Sequence, residues 1–109
     1  MVFAFQQLQQ RFEASFRPAE ARGLDSLFQY VIPDGSNFYM HIRDGELAFF
    51  AGDASLPADL TLTLEWQTLE DLFQGRVSGM QAFMFGHIKV RGSLTLASRL
   101  IDIFAPVVE

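Results

Sequence analysis

The sequence predicts an α+β domain in which a five-stranded, mainly antiparallel, twisted sheet is covered by helices. In several short segments apolar residues recur at every second position, which is typical of strands, and in others at every third or fourth position, which is typical of helices. The predicted order is one helix, three consecutive strands, a fourth strand, two helices, a fifth strand and a last helix. Elements segregated in this way favour α+β over a regular β/α alternation.

The length and composition indicate one domain. The chain has 109 residues, half of them hydrophobic and twelve of them Phe, and no stretch reads as a linker. We therefore treat residues 1–109 as a single domain, with an N-terminal helix over 1–17 and the sheet and C-terminal helices over 24–109. The apolar content exceeds what one core of this size needs. Composition alone does not separate core filling, which we favour for most of it, from a dimer face or a cavity wall.

The net charge and the absence of cysteine limit the expected binding partners and the expected cellular compartment. A net charge of −5 argues against nucleic acid and against tight adhesion to anionic membranes, although Arg76, His87, Lys89 and Arg91 form a local basic cluster. The absence of Cys excludes disulfides and thiolate metal sites and is compatible with a reducing compartment. With no secretory signal pattern at the N-terminus and no apolar run of about 20 residues, we expect a cytoplasmic protein.

The first helix is predicted from Phe5, Leu8, Phe12 and Phe16, which share one helical face, and Pro18 ends it. Alternation then begins at Leu24 and continues to the turn sequence at 33–36, which predicts the first strand.

The next two strands should form a tight hairpin. The second strand alternates with Phe38, Met40 and Ile42 on one face, and the dipeptide Asp44-Gly45 after it suits the positive φ angles of a two-residue turn. Residues 46–51 should therefore return antiparallel. The alternation of Leu and Thr over 60–64 is the clearest strand pattern of the chain.

Helical periodicity returns at Trp66 and stops at Gly75. Ser78 and Gln81 have the spacing of a capping box at the start of a second short helix. Residues 87–91 alternate as a fifth strand, and Ser93 can cap the last helix.

The last helix is apolar over most of its circumference. One face carries Leu94, Ala97, Ile101 and Phe104, and an adjacent face carries Leu96, Leu100, Ile103 and Val107. A helix of this kind must be covered on two sides, so we expect a second contact besides the sheet.

The sequence contains no recognisable catalytic or metal-binding motif. His41 and His87 lie on separate predicted strands without metal-ligand spacing, and no nucleophile elbow, phosphate loop or dinucleotide fingerprint is present. Glu70 and Asp71 are two adjacent carboxylates, but they lie on the polar face of a predicted helix, where contact with solvent is the ordinary reason for charged residues. We therefore predict no enzyme activity, no cofactor and no metal.

A resemblance to a known family lies in the C-terminal half. The run from Ala82 to Gly92, AFMFGHIKVRG, resembles the signature of sterol carrier protein type 2 domains. The segment 57–64, PADLTLTL, is similar to the family's Pro-x-Asp-x-Thr strand, and 72–76, LFQGR, to its helix ending in Gly-Lys. Together with the element order, the resemblance covers about residues 24–104.

The resemblance implies a function and a site. Members of the family hold sterols, fatty acids, acyl-CoA, isoprenoids or other lipids in an apolar tunnel between the sheet and the helices. It therefore implies non-catalytic lipid carriage, with at most transient membrane contact. The candidate lining residues are Trp66, Leu72, Phe73, Met80, Phe83, Met84, Leu96, Leu100, Ile103 and Phe104.

Departures from the family pattern limit what the resemblance implies. Phe38-Tyr39 replaces the Trp usual in the second strand, and His87 stands where Lys is frequent, so ligand preference does not transfer. The ending Pro106-Val107-Val108-Glu109 is not a peroxisomal tripeptide, so a free-standing bacterial-type carrier is expected. One alternative is an interaction module that forms a homodimer or serves a lipid or quinone biosynthetic enzyme without a lipid of its own. A less favoured one is an enzyme that uses Glu70 or Asp71.

Overall fold

The computed structural model describes residues 5–105, and residues 1–4 and 106–109 lie outside the described part. The elements in chain order are α1, Phe5–Ser15; a 3-10 helix, Pro18–Ala21; β1, Asp25–Val31; β2, Phe38–Arg43; β3, Glu46–Ala51; β4, Leu60–Leu64; α2, Trp66–Phe73; α3, Gly79–Met84; β5, Ile88–Gly92; and α4, Leu94–Ile103. The predicted order of helices and strands is thus confirmed. The part of the first helix predicted for residues 1–4, and Val107 of the last, lie outside the description.

The five strands form one sheet in the order β3-β2-β1-β4-β5. Three of the four neighbouring pairs are antiparallel, and β1 pairs with β4 in parallel. The parallel pair arises because the loop after β3 carries the chain back across the sheet, so that β4 enters beside β1 in the same direction. The predicted α+β class with a mainly antiparallel sheet is therefore confirmed.

The β2–β3 hairpin follows the turn chemistry of its sequence. Asp44 has a φ of 47° and Gly45 a φ of 83°, and the register pairs Arg43 with Glu46. Asp44 is the one non-glycine residue with a positive φ within residues 5–105. Asp tolerates this conformation and Gly adopts it without a steric cost, so the dipeptide sets the register of both strands.

The core lies between one face of the sheet and the helices. The strands contribute fully buried side chains to it, among them Phe28, Phe38, Met40, Ile42 and Leu60. Phe12 of α1 lies at its centre, with ring centroids 4.9–5.7 Å from those of Tyr30, Phe38, Phe49, Phe73 and Phe104. Through this one side chain, α1 is packed against the sheet, α2 and the end of α4.

On the opposite face of the sheet, the buried side-chain amide of Gln29 binds the loop that follows β3. Gln29 is 8% exposed, and its Oε1 accepts a hydrogen bond of 2.8 Å from the Ala54 backbone N–H. Its Nε2 donates to the carbonyl oxygens of Phe38 and Gly52, at 3.0 and 3.2 Å. The loop after β3 is thereby fixed against the sheet.

None of the helices within residues 5–105 combines the length and the hydropathy needed to cross a membrane.

Candidate functional site: an apolar cavity

A cavity of about 440 Å³ lies between the sheet and the helices. Its volume falls in the range of about 300 to 1,000 Å³ that is usual for small-molecule sites. The strand side of the wall consists of Tyr30, Leu62, Leu64, Ile88 and Val90. The other wall residues come from the four helices, the segment between α2 and α3 and the residues just after α4: Phe12, Ser15, Leu69, Leu72, Phe73, Val77, Ser78, Gly79, Met80, Phe83, Leu94, Ala97, Ser98, Leu100, Ile101, Phe104 and Ala105.

The inner end of the cavity is closed where the chain leaves α4 and meets the end of α1. Arg17 N–H donates to the Ile103 carbonyl at 2.8 Å, and Ala105 N–H donates to the Ser15 carbonyl at 2.9 Å. The Ser15 hydroxyl also donates to the Ala105 carbonyl. These main-chain bonds hold Phe104 against Phe12, so this end of the cavity is the rigid one.

The outer end opens between α3 and the start of α4. Met80 and Phe83 line the cavity yet are 48% and 40% exposed, and Leu94 is 64% exposed. Apolar side chains that face both a cavity and solvent mark an opening, which we call the mouth. The mouth therefore consists of Met80, Phe83 and Leu94.

Local sequence sets the position of α3 at the mouth. The capping box is formed as predicted, because Gln81 N–H donates to the Ser78 hydroxyl and Ser78 N–H donates to Gln81 Oε1, both at 3.0 Å. Gly79 lies so close to α4 that a Cβ there would be 2.9 Å from Ile101 Cγ1. The start of α3 is thus packed on α4, while its end projects outward.

An ion pair links α1 to α2 over the cavity wall. Both guanidinium nitrogens of Arg11 donate to the Glu70 carboxylate, at 2.6 and 2.9 Å, and the guanidinium lies 4.4 Å from the centroid of the Phe73 ring. The hydrogen bond from Arg11 lowers the pKa of Glu70 below its ordinary value, against an opposing effect of burial. The pair stays ionised at neutral pH and joins two elements that both line the cavity.

Six of the ten predicted lining residues lie on the cavity wall: Leu72, Phe73, Met80, Phe83, Leu100 and Phe104. The other four lie elsewhere. Ile103 is fully buried in the core, and Trp66 and Leu96 are partly buried against it. Met84 is 74% exposed at the end of α3. Periodicity places a residue on an apolar face of a helix but does not distinguish a core from a cavity, and this is why these four differ.

The prediction omitted the whole strand side of the wall and, apart from Phe104, the α4 face with Leu94, Ala97 and Ile101. The sequence predicts an apolar face with Leu94, Ala97, Ile101 and Phe104, and the structure places this face on the cavity. The adjacent face, with Leu96 and Ile103, packs against the core. For the strands, the inward alternation of Leu62 and Leu64 was the available signal.

The carboxylates considered for catalysis are engaged in ion pairs. Glu70 pairs with Arg11, and Asp71 accepts hydrogen bonds from Arg76 Nε at 2.8 Å and from Gln67 at 3.0 Å. These hydrogen bonds lower the pKa of Asp71. A general acid needs a raised pKa, so neither group has the property that the enzyme alternative requires. Within residues 5–105, no three His, Cys, Asp or Glu side chains are grouped so as to hold a metal.

The comparisons with known proteins agree with this architecture. The family model of the SCP-2 sterol transfer family matches residues 5–105, and the chain belongs to that family. Among curated proteins, it is 26% identical over 76 residues to hydroxysteroid dehydrogenase-like protein 2 of Xenopus tropicalis, a match that covers 68% of this chain and 18% of that protein. The chain thus spans about a fifth of the length of that relative.

Several solved structures of differently named proteins have the same fold as this chain. Sterol carrier protein 2 like 2 of Aedes aegypti is 16% identical with a TM-score of 0.71, over 91% of this chain and 94% of that one. Its palmitated form is 19% identical with a TM-score of 0.64, over 90% and 87%. The ubiquinone synthesis protein UbiJ-SCP2 is 14% identical with a TM-score of 0.67, over 91% and 87%.

A fourth neighbour carries the fold as part of a larger chain. The sec-alkylsulfatase Pisa1 of Pseudomonas sp. is 20% identical with a TM-score of 0.75, and the match covers 88% of this chain but 15% of that one. The fold therefore occurs both in chains of about this length and as a minor part of a larger one.

Proposed function

We propose that this chain binds and carries a lipid in the cavity without catalysing a reaction. The observation that supports this most is the cavity itself, which is lined almost entirely by apolar side chains and is open to solvent. Membership of the SCP-2 sterol transfer family supports the same function, as does the palmitated state of the Aedes aegypti neighbour. A cytoplasmic location stays a prediction.

Burial of an alkyl chain would drive binding. At about 0.8 kcal/mol for each buried methylene, a chain of about ten carbons gains roughly 8 kcal/mol before the entropic costs of association. These costs reduce the net affinity to about the micromolar range. Because one methylene contributes little to discrimination, selection by chain length should be broad.

The exposed mouth gives a lipid its route of entry. Met80 and Phe83 are on a six-residue helix and are 48% and 40% exposed, so a lipid can reach the cavity past their side chains. Methionine adapts to ligands of different shape because its thioether chain is unbranched. We place the exchange of lipid here and not at the end of α4, which is held by main-chain hydrogen bonds to α1.

The test is native mass spectrometry of the protein from its own host, with extraction of bound molecules. It should be followed by titration of the delipidated protein with a fluorescent fatty acid. The variant Ala97→Phe places a ring in the cavity and should bind the probe at least tenfold more weakly. Ala48→Phe, at an exposed position of β3, is the matched control. The proposal would be contradicted if no lipid can be extracted from the purified protein and the protein also fails to take up the fluorescent fatty acid.

A second function is favoured by the exposed end of α3. Met84 and Phe85 are 74% and 70% exposed and lie beside the mouth, and such apolar groups commonly mark interaction surfaces. A structural neighbour is named as a ubiquinone synthesis protein, which fits an accessory role beside a lipid-modifying enzyme. Under this alternative the chain associates through α3, with itself or with such an enzyme.

Self-association can be measured directly. If α3 forms a dimer face, the double variant M84S/F85S should be monomeric in analytical ultracentrifugation where the wild type is dimeric. A wild type that is monomeric at high concentration would remove the homodimer from consideration.

A further inference from the structure

The inner end of the cavity contains a tyrosine hydroxyl without a hydrogen-bond partner among residues 5–105. Tyr30 lines the cavity and is 5% exposed. Its ring is stacked on Phe38 at a centroid distance of 4.6 Å and meets the edge of Phe12 at 5.7 Å. Its carbonyl accepts a hydrogen bond from Gln29, but no described group bonds to the hydroxyl. The ring is therefore fixed in place by packing alone.

This hydroxyl faces open space inside the protein. Within residues 5–105 no side-chain nitrogen or oxygen is both fully enclosed and without a partner. The unpartnered Tyr30 oxygen must therefore keep some accessible surface, and the cavity that Tyr30 lines supplies it. Buried Tyr hydroxyls usually have a hydrogen-bond partner, so a ligand atom is the natural candidate here.

The other hydroxyls on the wall have different roles. Ser15 donates to the Ala105 carbonyl at the closed end, and Ser78 accepts from Gln81 as the cap of α3. Ser98 is exposed on α4. Among the described hydroxyls of the wall, only that of Tyr30 is both deep and unused.

The surroundings of Tyr30 favour an uncharged partner. No Asp, Glu, Lys, Arg or His is part of the described cavity wall. Arg11, whose guanidinium lies above Phe73, already holds the Glu70 carboxylate with two hydrogen bonds. The side chain of Arg17, next to the closed end, is half exposed and engages the Asp102 carbonyl and Glu20. A carboxylate or phosphate inserted this far would lose its hydration without a counter-charge. Burial also raises the pKa of the Tyr30 hydroxyl, which therefore stays a neutral donor.

We propose, on the basis of the lipid carriage inferred above, that the cavity selects lipids whose inserted end bears an uncharged oxygen, and that the Tyr30 hydroxyl hydrogen-bonds this oxygen. Long-chain alcohols and ketones are of this class. Tyr30 is on β1, two strands away from β5 at the mouth side, which is about 10 Å across the sheet. A fatty acid would instead keep its carboxylate at the mouth and leave Tyr30 beside its methyl end.

The test is a displacement titration with four ligands of matched chain length. Delipidated protein is loaded with aminoanthracene, an uncharged fluorescent probe, which is then displaced by decanol, a methyl ketone, decanoate or the corresponding alkane. The titrations are repeated with Tyr30→Phe. Tyr39→Phe serves as the control, because Tyr39 also has an aromatic neighbour, Phe50 at 5.0 Å, but is outside the cavity wall.

We expect wild type to prefer the alcohol and the ketone to the alkane. Tyr30→Phe should weaken binding of both by about fivefold to tenfold and leave the alkane unchanged, while Tyr39→Phe changes neither. The thermal midpoint of Tyr30→Phe should not fall below that of the wild type, because the substitution removes only an unpaired oxygen. Equal affinities in wild type and Tyr30→Phe, or a clear loss of stability, would overturn the role of Tyr30 and leave lipid carriage intact. A protein that binds neither the probe nor any ligand would refute both.

Discussion

The ion pair between Arg11 and Glu70 gives the sharpest stability prediction, because two matched substitutions isolate it. Glu70→Gln keeps the shape of the side chain and removes its charge. Arg11→Met keeps an unbranched apolar side chain and removes the guanidinium, together with its contact with Phe73. The side chains are 31% and 26% exposed, so the pair lies between a surface pair and a buried one. Its geometry is bidentate, with both nitrogens donating at 2.6 and 2.9 Å.

The expected magnitude follows from this geometry. Exposed ion pairs contribute about 0.2 to 1 kcal/mol, and charge-assisted bidentate pairs contribute more. We expect a coupling energy of about 1 kcal/mol in a double-mutant cycle. For a domain of this size, a loss of about 1 kcal/mol lowers the thermal midpoint by roughly 4 °C.

The same pair makes stability depend on pH in a defined direction. The pKa of Glu70 is lower in the folded state than its ordinary value, chiefly because of the hydrogen bond from Arg11. The stabilisation is therefore complete above the unfolded pKa and is lost as the pH falls through the folded pKa. Urea denaturation of the four proteins of the cycle at about pH 7 and about pH 3 measures both effects. A coupling energy near zero at neutral pH, or one that grows in acid, would refute this account.

Three further predictions concern single residues that hold β5, the loop after β3 and α3 in place. Gly92→Ala should destabilise the domain by more than about 2 kcal/mol in chemical denaturation, because Gly92 has a φ of 127° and an added Cβ would be 2.6 Å from the Asp59 carbonyl oxygen; an unchanged midpoint would contradict it. Gln29→Leu should cost about 2 kcal/mol and speed amide exchange at Ala54, whose N–H loses its acceptor; protected exchange there would show that Gln29 does not hold the loop. Ser78→Ala should destabilise α3 by about 1 kcal/mol and speed amide exchange over residues 79–84. The control is Ser93→Ala, which removes the cap of α4 and should leave amide exchange over residues 79–84 unchanged.

The type and order of the elements could be predicted from the sequence because they depend on local chemistry. The alternation over 60–64, the Asp44-Gly45 turn and the Ser78 capping box each act within a few residues, and the structure confirms all three. The family resemblance was likewise carried by short runs of sequence, and the match over residues 5–105 confirms it.

The composition of the cavity wall was decided by tertiary packing. Leu100 and Ile101 are neighbours on α4 and both line the cavity, whereas Leu96 and Ile103 pack against the core, and all four are equally apolar. What separates them is the angle at which α4 lies on the sheet. That angle depends on remote contacts such as the main-chain bond between Arg17 and Ile103, which no local pattern reveals.

The same reasoning explains Tyr30. Its sequence neighbours predict an inward-facing strand residue and nothing more. Only the tertiary structure, in which β4 pairs in parallel with β1 and α1 closes the inner end, leaves its hydroxyl facing a void and not a partner. The sequence by itself thus determined the elements, the family and the apolar surplus, because these depend on residue type and spacing. The place where that surplus encloses space, and the one polar group that faces it, depend on how distant segments meet.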